Sequence, residues 1–309
     1  MKINDFVLLP IILIITSCSG MQRLYSIKSY KRTLASSIQK DTTLSKVIAK
    51  VDKQGKKTKI LSAFFGLDDA LPRPASAVIC DGANYKDGMP VIFSHEIDVN
   101  SMQAGDFEVT TASGKTGYVH CVTLAPADDK GELRTVLLVG HYGSIEDQPV
   151  SVKIVGNLLS LDKSVNFKGE SITPIKLEVG PTIILAEVIP KDKQELGKKA
   201  TQLPFGGGNG CPIGSKQVIN VTWVGGITKP GGKPANDKER ELYKVTLVNK
   251  DGKSTEVTPF ALADLKDGDN NHRLCLNVEG TAKSVFFPAG HLTDPREDLN
   301  PDTKIEISQ

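Results

Sequence analysis

Apolar and polar residues alternate with a period of two along most of the chain after Ser62. Such alternation predicts β-strands with one buried face. In the first half it predicts strands at 90–93, 107–111, 118–124, 135–139 and 149–155. Short runs of Gly, Asp and Asn separate these strands, which is typical of an antiparallel sandwich or barrel. The absence of a long helical pattern between them argues against a parallel α/β sheet.

The second half of the chain repeats this order of strands and turns. The matching segments are 91–93 with 218–223, 106–111 with 243–248, 128–140 with 266–280, and 150–154 with 303–307. Each half also carries a histidine and an acidic loop before its last alternating strand. We therefore predict an all-β chain of two tandem antiparallel β-sandwich domains, at 63–190 and 211–309. The polar stretch 191–210, which includes five residues from Gly206 to Gly210 that are almost all glycine, is predicted to be a flexible linker.

Residues 1–17 are predicted to be a signal peptide. The apolar run at 6–15 is too short to cross ~30 Å of hydrocarbon as a stable helix. It leads into Ile15-Thr16-Ser17-Cys18, which resembles the lipobox of bacterial lipoproteins. The resemblance implies that Cys18 carries a diacylglycerol and further acyl chains, and that Ser19 directs the protein to the outer membrane. A plain secretory signal, with the protein released, is the alternative.

The next segment, 18–62, is predicted to be a basic stalk. Between residues 21 and 60 there are eleven Lys and Arg residues against two Asp residues, so the total charge of +2 hides a basic arm and an acidic body. Leu44, Val47, Ile48 and Val51 have the spacing of one face of a helix, which predicts one short amphipathic helix in the stalk. That helix would either dock on the body or lie on anionic lipid headgroups.

One stretch of the first half carries a family resemblance. The segments 91–98, 105–109 and 152–157 resemble a bacterial Ig-like domain of the surface-layer type, over about residues 88–162. The resemblance implies an Ig-like sandwich in a surface setting. It implies no reaction, because function depends on sites and not on the fold.

Four cysteines remain after Cys18, namely Cys80, Cys121, Cys211 and Cys275. An even number in an exported chain favours disulfides, and three pairings are open. A pairing that respects the two domains joins Cys80 to Cys121 and Cys211 to Cys275. A zinc site is disfavoured because no two of them form a Cys-x-x-Cys pair.

Loops rich in carboxylates and amides are the main candidates for chemistry. They contain Asp81, Asn84 and Asp87; Asp264, Asp267, Asp269 and Asn271; and Asp294, Glu297, Asp298, Asn300 and Asp302. Asp267, Asp269 and Asn271 have the spacing of the first three calcium ligands of an EF-hand, although His272 stands where that loop needs glycine. These three residues are a candidate calcium site. The alternative is that Asp and Asn serve only as turn formers.

The sequence contains neither a Gly-x-Ser-x-Gly nor a His-Glu-x-x-His motif, and no cofactor other than calcium is expected.

The leading hypothesis is a cell-envelope lipoprotein that presents two Ig-like β domains for binding or structural spacing, without catalysis. Its partners would be the membrane and an envelope protein or glycan, and not nucleic acid. One alternative is an exported hydrolase that uses Asp98 or Asp147 with His95 or His141. The other is a calcium-stiffened, adhesin-like surface protein.

Overall fold

The computed structural model describes residues 41–201, 207–265 and 267–308. The regular elements of these residues are almost all strands, and the strands form four antiparallel sheets. The predicted all-β class is therefore confirmed. The signal peptide and Cys18 lie outside the described residues. No helix among the described residues has the length and apolar character needed to span a bilayer.

Two sheets enclose the first hydrophobic core, and we call this unit the first sandwich. Its strands are β1 (Ile60–Ala63), β2 (Asp87–Phe93), β3 (Phe107–Thr111), β4 (Tyr118–Thr123), β5 (Thr135–His141), β6 (Pro149–Ile154) and β7 (Ser171–Ile172). One sheet has the order β1-β2-β5-β4 and the other β3-β6-β7. Phe93 packs edge-on against Phe107 and Phe167 in the core between the sheets.

The second sandwich has its own core. Its strands are β8 (Ile183–Val188), β9 (Gln217–Trp223), β10 (Lys244–Val248), β11 (Ser254–Val257), β12 (Ala261–Ala263), β13 (Asn271–Leu276), β14 (Thr281–Phe287) and β15 (Thr303–Glu306). The sheets have the orders β12-β13-β9-β8 and β11-β10-β14-β15. Trp223 and Tyr243 pack against Phe287, and the Trp223 indole donates a 3.1 Å hydrogen bond to the Tyr243 hydroxyl.

Within the described residues, two short α-helices accompany the strands, α1 (Ala75–Val78) in the first sandwich and α2 (Asp237–Leu242) in the second, together with 3-10 turns at Ala104–Asp106 and Lys191–Lys193. Asn236 caps α2, because its side chain accepts a hydrogen bond from the Lys238 amide at 2.9 Å. The Asn236 amide in turn donates to the Glu239 carboxylate at 2.9 Å, which completes a capping box.

The two sandwiches share one topology. The order β1-β2-β5-β4 corresponds to β8-β9-β13-β12, and β3-β6-β7 corresponds to β10-β14-β15, with β11 as an extra edge strand. The predicted matches of β9 with β2, β10 with β3, and β13 with β5 agree with this order. The predicted match of 303–307 with 150–154 is wrong, because β15 takes the place of β7. Strand β14 is the counterpart of β6, and it is not among the strands predicted from the sequence.

The structure also corrects the position of β8. The predicted first domain, 63–190, includes residues 183–188, but β8 pairs with β9 in the second sandwich. The chain therefore crosses between the sandwiches after β7 and before β8. An apolar run can predict a strand, but it does not carry the register that decides which sheet the strand joins.

The helix predicted at Leu44–Val51 does not form. Residues 41–50 run without helical structure along the first sandwich, and their backbone bonds to it. Asn166 donates from its side chain to the Val47 carbonyl at 2.9 Å and from its amide to the Ala49 carbonyl at 3.0 Å. Leu44 and Ile48 point outward and are 99% and 86% exposed. A helix this short gains little by itself, so bonds to the body decide the conformation.

Both predicted disulfides are present. Cys80 pairs with Cys121, and Cys211 pairs with Cys275. Each bridge stays within one sandwich, and together they link the segments ahead of β2 and β9 to strands of the same sheets. The bridges therefore stabilise each sandwich separately and do not join the two.

Candidate cation centre between the two sandwiches

Two loops at equivalent positions of the repeat meet where the sandwiches touch. The loop before β5 contributes Asp129 and Glu132, and the loop before β13 contributes Asp264, Asp267 and Asp269. All five side chains are buried, with exposed fractions between 1% and 6%. We call these five residues the interface carboxylates.

The interface carboxylates form two overlapping groups. The first group is Asp129, Asp264 and Asp267, and the second is Glu132, Asp264 and Asp269. Within each group, one oxygen from each residue lies within 4.8 Å of the others. Asp264 belongs to both groups, and each group draws ligand atoms from both sandwiches. Carboxylate oxygens at this spacing are the ligands that hard divalent cations prefer.

Two cationic side chains lie against the cluster. Arg273 of β13 pairs with Glu132 and also donates to the Lys130 carbonyl at 3.1 Å. Lys198 contacts Asp129 at 2.9 Å. Among the described residues these two positive charges face five carboxyl groups, so full ionisation of the cluster would leave an excess of negative charge.

Several oxygens of the cluster have no donor. Neither carboxylate oxygen of Asp264, and only one of the two of Glu132, receives a hydrogen bond from an amide, guanidinium or hydroxyl group of the described residues. The Arg273 Nε atom is 3.7 Å from the nearer Asp264 oxygen, which is too long for a hydrogen bond. A buried carboxylate without a partner is strongly unfavourable in its charged form.

Burial and mutual repulsion raise the pKa values of the cluster. Burial, followed by the charge of Asp269, raises the pKa of Glu132 to about 8. Burial and the charge of Glu132 hold the pKa of Asp264 well above its usual range. Burial and the charge of Asp267 do the same for the pKa of Asp269. At neutral pH this arrangement calls for bound protons or a bound cation.

Of the three predicted calcium ligands, the structure brings two into the cluster. Asp267 and Asp269 belong to it, but Asn271 turns its amide nitrogen toward Asp269 at 2.9 Å. The Asn271 backbone amide also donates to Asp269, at 2.8 Å, and its side-chain oxygen accepts from Thr222. Asn271 therefore orients Asp269 and does not itself face the other carboxylates.

The glycine-rich segment predicted as a flexible joint packs on the same carboxylates. Its described part begins at Gly207, and the Gly208 amide donates to Asp129 at 2.9 Å. A Cβ atom on Gly208 would lie 2.3 Å from an oxygen of Asp264 and 2.5 Å from one of Asp267. Only glycine lets the backbone come this close.

Sequence reasoning missed Asp129 and Glu132 as site residues. The internal repeat contains the information that could have identified them. The match of 128–140 with 266–280 aligns the loop of Asp129 and Glu132 with the loop before β13. What the match could not show is that the equivalent loops of the two copies face each other.

The acid-base pairs of the hydrolase alternative do not assemble. Asp147 accepts hydrogen bonds from Ser113 and Thr111, and Asp98 pairs with Lys163 at 3.4 Å. His141 lies on the surface beside Asp69, 3.0 Å away.

The His95 ring instead lies between the side chains of Ser94 and Asp52 and contacts both. Its ring nitrogens lie 2.9 Å from the Ser94 hydroxyl and 3.1 Å from an Asp52 oxygen. The Ser94 hydroxyl also bridges the Lys57 carbonyl and the Lys59 amide, at 3.1 and 3.0 Å. These bonds hold the 51–59 segment against the first sandwich.

An apolar cavity of about 290 Å³ lies beside the cluster, between the two sandwiches. The first sandwich supplies Phe64, Leu71 and Leu137 to its walls, and the second supplies Gly225 and the backbone around Asp269. A Cβ atom on Gly225 would lie 2.7 Å from the Phe64 ring, so the two sandwiches are in close contact here.

No protein-family model and no curated protein matches the chain. Among solved structures, one with detectable similarity is the crystal structure of the N-terminal part of the bacterial S-layer protein SbsC. The match has 11% sequence identity and a TM-score of 0.25, and it covers 83% of this chain. The chain spans 45% of the length of that structure.

Proposed function

We propose that this protein is a non-catalytic cell-envelope lipoprotein that presents two Ig-like sandwiches as one rigid pair. Its role would be structural spacing, or the display of a binding surface to an envelope protein or glycan. The lipid on Cys18 would hold it to the membrane, with the outer membrane favoured. The described residues 41–59 run along the first sandwich, so that sandwich would lie nearer the membrane.

The observation that carries the rigid pairing in this proposal is the set of polar contacts between the two sandwiches. Arg134 of the first donates to Glu187 of the second at 2.6 Å, and both are largely buried. Arg273 and Glu132 make a second ion pair, in which the second sandwich supplies the cation and the first supplies the carboxylate. Charge-assisted bonds of this kind have defined directions, so they fix the angle between the units as well as their contact. Domains joined by a small contact surface are otherwise expected to move against each other.

A third polar contact also joins the two sandwiches. The Asn270 side chain donates to Thr135 at 3.2 Å and to the Trp223 carbonyl at 2.7 Å. One amide thus bonds to a strand of each sandwich and ties the end of β9 to the start of β5. Together with the ion pairs it supports a spacer of fixed geometry.

The experiment that tests the proposal is the mass of the mature N-terminus in a bacterial host, with membrane fractionation. We expect acyl chains on Cys18 and recovery in the outer-membrane fraction. The Cys18→Ala variant should lose both the added mass and the membrane association. An unmodified N-terminus beyond Cys18, with the protein in the medium, would overturn the lipoprotein proposal and leave a secreted protein.

A further inference from the structure

We propose that the interface carboxylates bind calcium, and that the ion fastens the first sandwich to the second. The candidate ligands are Asp129, Glu132, Asp264, Asp267 and Asp269, and Asp264 is shared by the two groups. This goes beyond the proposed function, because it makes the rigidity of the pair conditional on a cation. It also replaces the EF-hand-like set read from the sequence, in which Asn271 was a ligand and the first sandwich took no part.

The first argument is charge. Among the described residues, Arg273 and Lys198 are the cationic side chains that form ion pairs with the five buried carboxylates. Buried charge of one sign is tolerated where a counter-ion is bound. A divalent cation would offset most of this charge in a single step, and within each group the three carboxylate oxygens have the spacing to hold an ion.

The second argument is independent of the charge count. Asp264 is 1% exposed, belongs to both groups, and on neither oxygen accepts a hydrogen bond from an amide, guanidinium or hydroxyl group of the described residues. Its carboxyl contact is with Glu132, and two carboxyl groups can hydrogen-bond to each other only by sharing a proton, which a bound cation would replace. The second carboxylate oxygen of Glu132, Oε2, likewise accepts no hydrogen bond from an amide, guanidinium or hydroxyl group of the described residues. Almost all buried polar atoms of folded proteins have a partner, so oxygens left open in this way indicate a ligand.

The donor set selects calcium among the common metals. All candidate ligands are carboxylates, and neither group contains histidine or cysteine, the ligands that zinc prefers. Magnesium needs a regular octahedron and keeps several waters. Calcium accepts six to eight oxygens in irregular geometry, which suits a buried cluster of bidentate side chains.

The glycine segment explains how the site is closed. Gly208 packs over Asp264 and Asp267, and the Asn209 carbonyl accepts a hydrogen bond from the Asp264 amide at 2.8 Å. Without a cation the carboxylates beneath this segment repel one another. We therefore expect removal of calcium to loosen residues 207–210 together with the contact between the sandwiches.

The test is calorimetric titration of CaCl₂ into protein stripped with EGTA, with melting temperatures in calcium and in EGTA. At a calcium concentration about a hundred times Kd, we expect the melting temperature to rise by about 5–10 °C. Magnesium at the same concentration should give a clearly smaller rise. No binding heat with equal melting temperatures would overturn the proposal, and an equal rise with magnesium would overturn the assignment to calcium.

Substitutions of the interface carboxylates test whether calcium binds at this cluster. Asp264→Asn should abolish both the binding heat and the rise in melting temperature. In EGTA it should melt no lower than the parent, because one repelling charge is gone. Glu132→Gln gives a second readout if Asp264→Asn does not fold. The matched control is Glu256→Gln, at an exposed position of β11, which should respond to calcium like the parent. A full calcium response in both cluster variants would show that the ion binds elsewhere.

Discussion

Arg273 of β13 reaches out of the second sandwich and pairs with Glu132 of the first, and both side chains are almost completely buried. The same guanidinium bonds to the Lys130 carbonyl at 3.1 Å. The Arg273 side chain therefore contributes both an ion pair and a directional hydrogen bond to the contact between the sandwiches. The stability and the geometry of the pair depend on it.

Arg273→Met should lower the free energy of unfolding in EGTA by about 3–5 kcal/mol, because it leaves Glu132 and Asp264 buried without their nearest cation. Urea unfolding measures the change. The control is Arg296→Met, whose partner Asp298 is partly exposed, and whose cost should stay below about 1 kcal/mol. Equal effects of the two substitutions would contradict the importance of the buried pair.

Arg134→Ala should widen the range of angles between the sandwiches. It removes the 2.6 Å bond to Glu187 and a 3.1 Å bond to the Ser94 carbonyl. Small-angle scattering should require one arrangement for the parent and several for the variant. Lys163→Ala, which removes only a pair with Asp98 inside the first sandwich, should scatter like the parent. An unchanged curve for Arg134→Ala would mean that other contacts set the angle.

His272 should make the protein sensitive to acid. Burial lowers the pKa of His272 to about 3, while the unfolded chain has its ordinary value near 6.5. A lowered folded pKa gives stability that is present above pH 6.5 and is lost as the pH falls toward 3.

Between pH 6.5 and 5 this residue should account for a loss of about 2 kcal/mol, at about 1.4 kcal/mol per pH unit. The comparison is with His272→Asn, which keeps an acceptor near the Tyr243 hydroxyl that contacts the ring at 2.8 Å. The difference between the two urea-unfolding free energies should change with pH by that amount. A constant difference would show that His272 is protonated without cost.

The two disulfides should contribute separately. Replacing Cys211 and Cys275 together with alanine should lower the free energy of unfolding by about 2–5 kcal/mol, because the bridge restrains a segment of 64 residues in the unfolded chain. Replacing Cys80 and Cys121 should have an effect of similar size over 41 residues. Peptide mapping without reduction checks the pairing first. A peptide that links Cys80 to Cys211 would contradict it.

Asn157→Ala should expose the segment 41–50 to protease. The Asn157 side chain donates to Asp41 and to the Thr43 carbonyl, both at 3.0 Å, and holds the start of that segment. Loss of about 1 kcal/mol of local stability should speed trypsin cleavage after Lys46 about fivefold or more, with the melting temperature nearly unchanged. Asn100→Ala, which removes a bond to Asp98 alone, should cleave at the parent rate.

Much of the fold could be predicted from local pattern. Alternation predicted strands β2 to β6, because a half-buried strand repeats its environment every two residues. The same logic failed for residues 44–51, whose spacing also fits a helix. There the decision came from Asn166 and Asn157, more than a hundred residues away, which bond to the segment as an extended chain.

The amino-acid sequence by itself determined the β class, the repeat and the acidic character of the loop at 264–271, and it favoured one of three open cysteine pairings, which the structure shows. Each of these follows from nearby residues or from a comparison of one half with the other. Tertiary structure alone decided that Asp264 meets Asp129 and Glu132. That meeting depends on how two folded sandwiches dock, through contacts such as Arg134 with Glu187, and no local pattern encodes the angle at which two folded surfaces join.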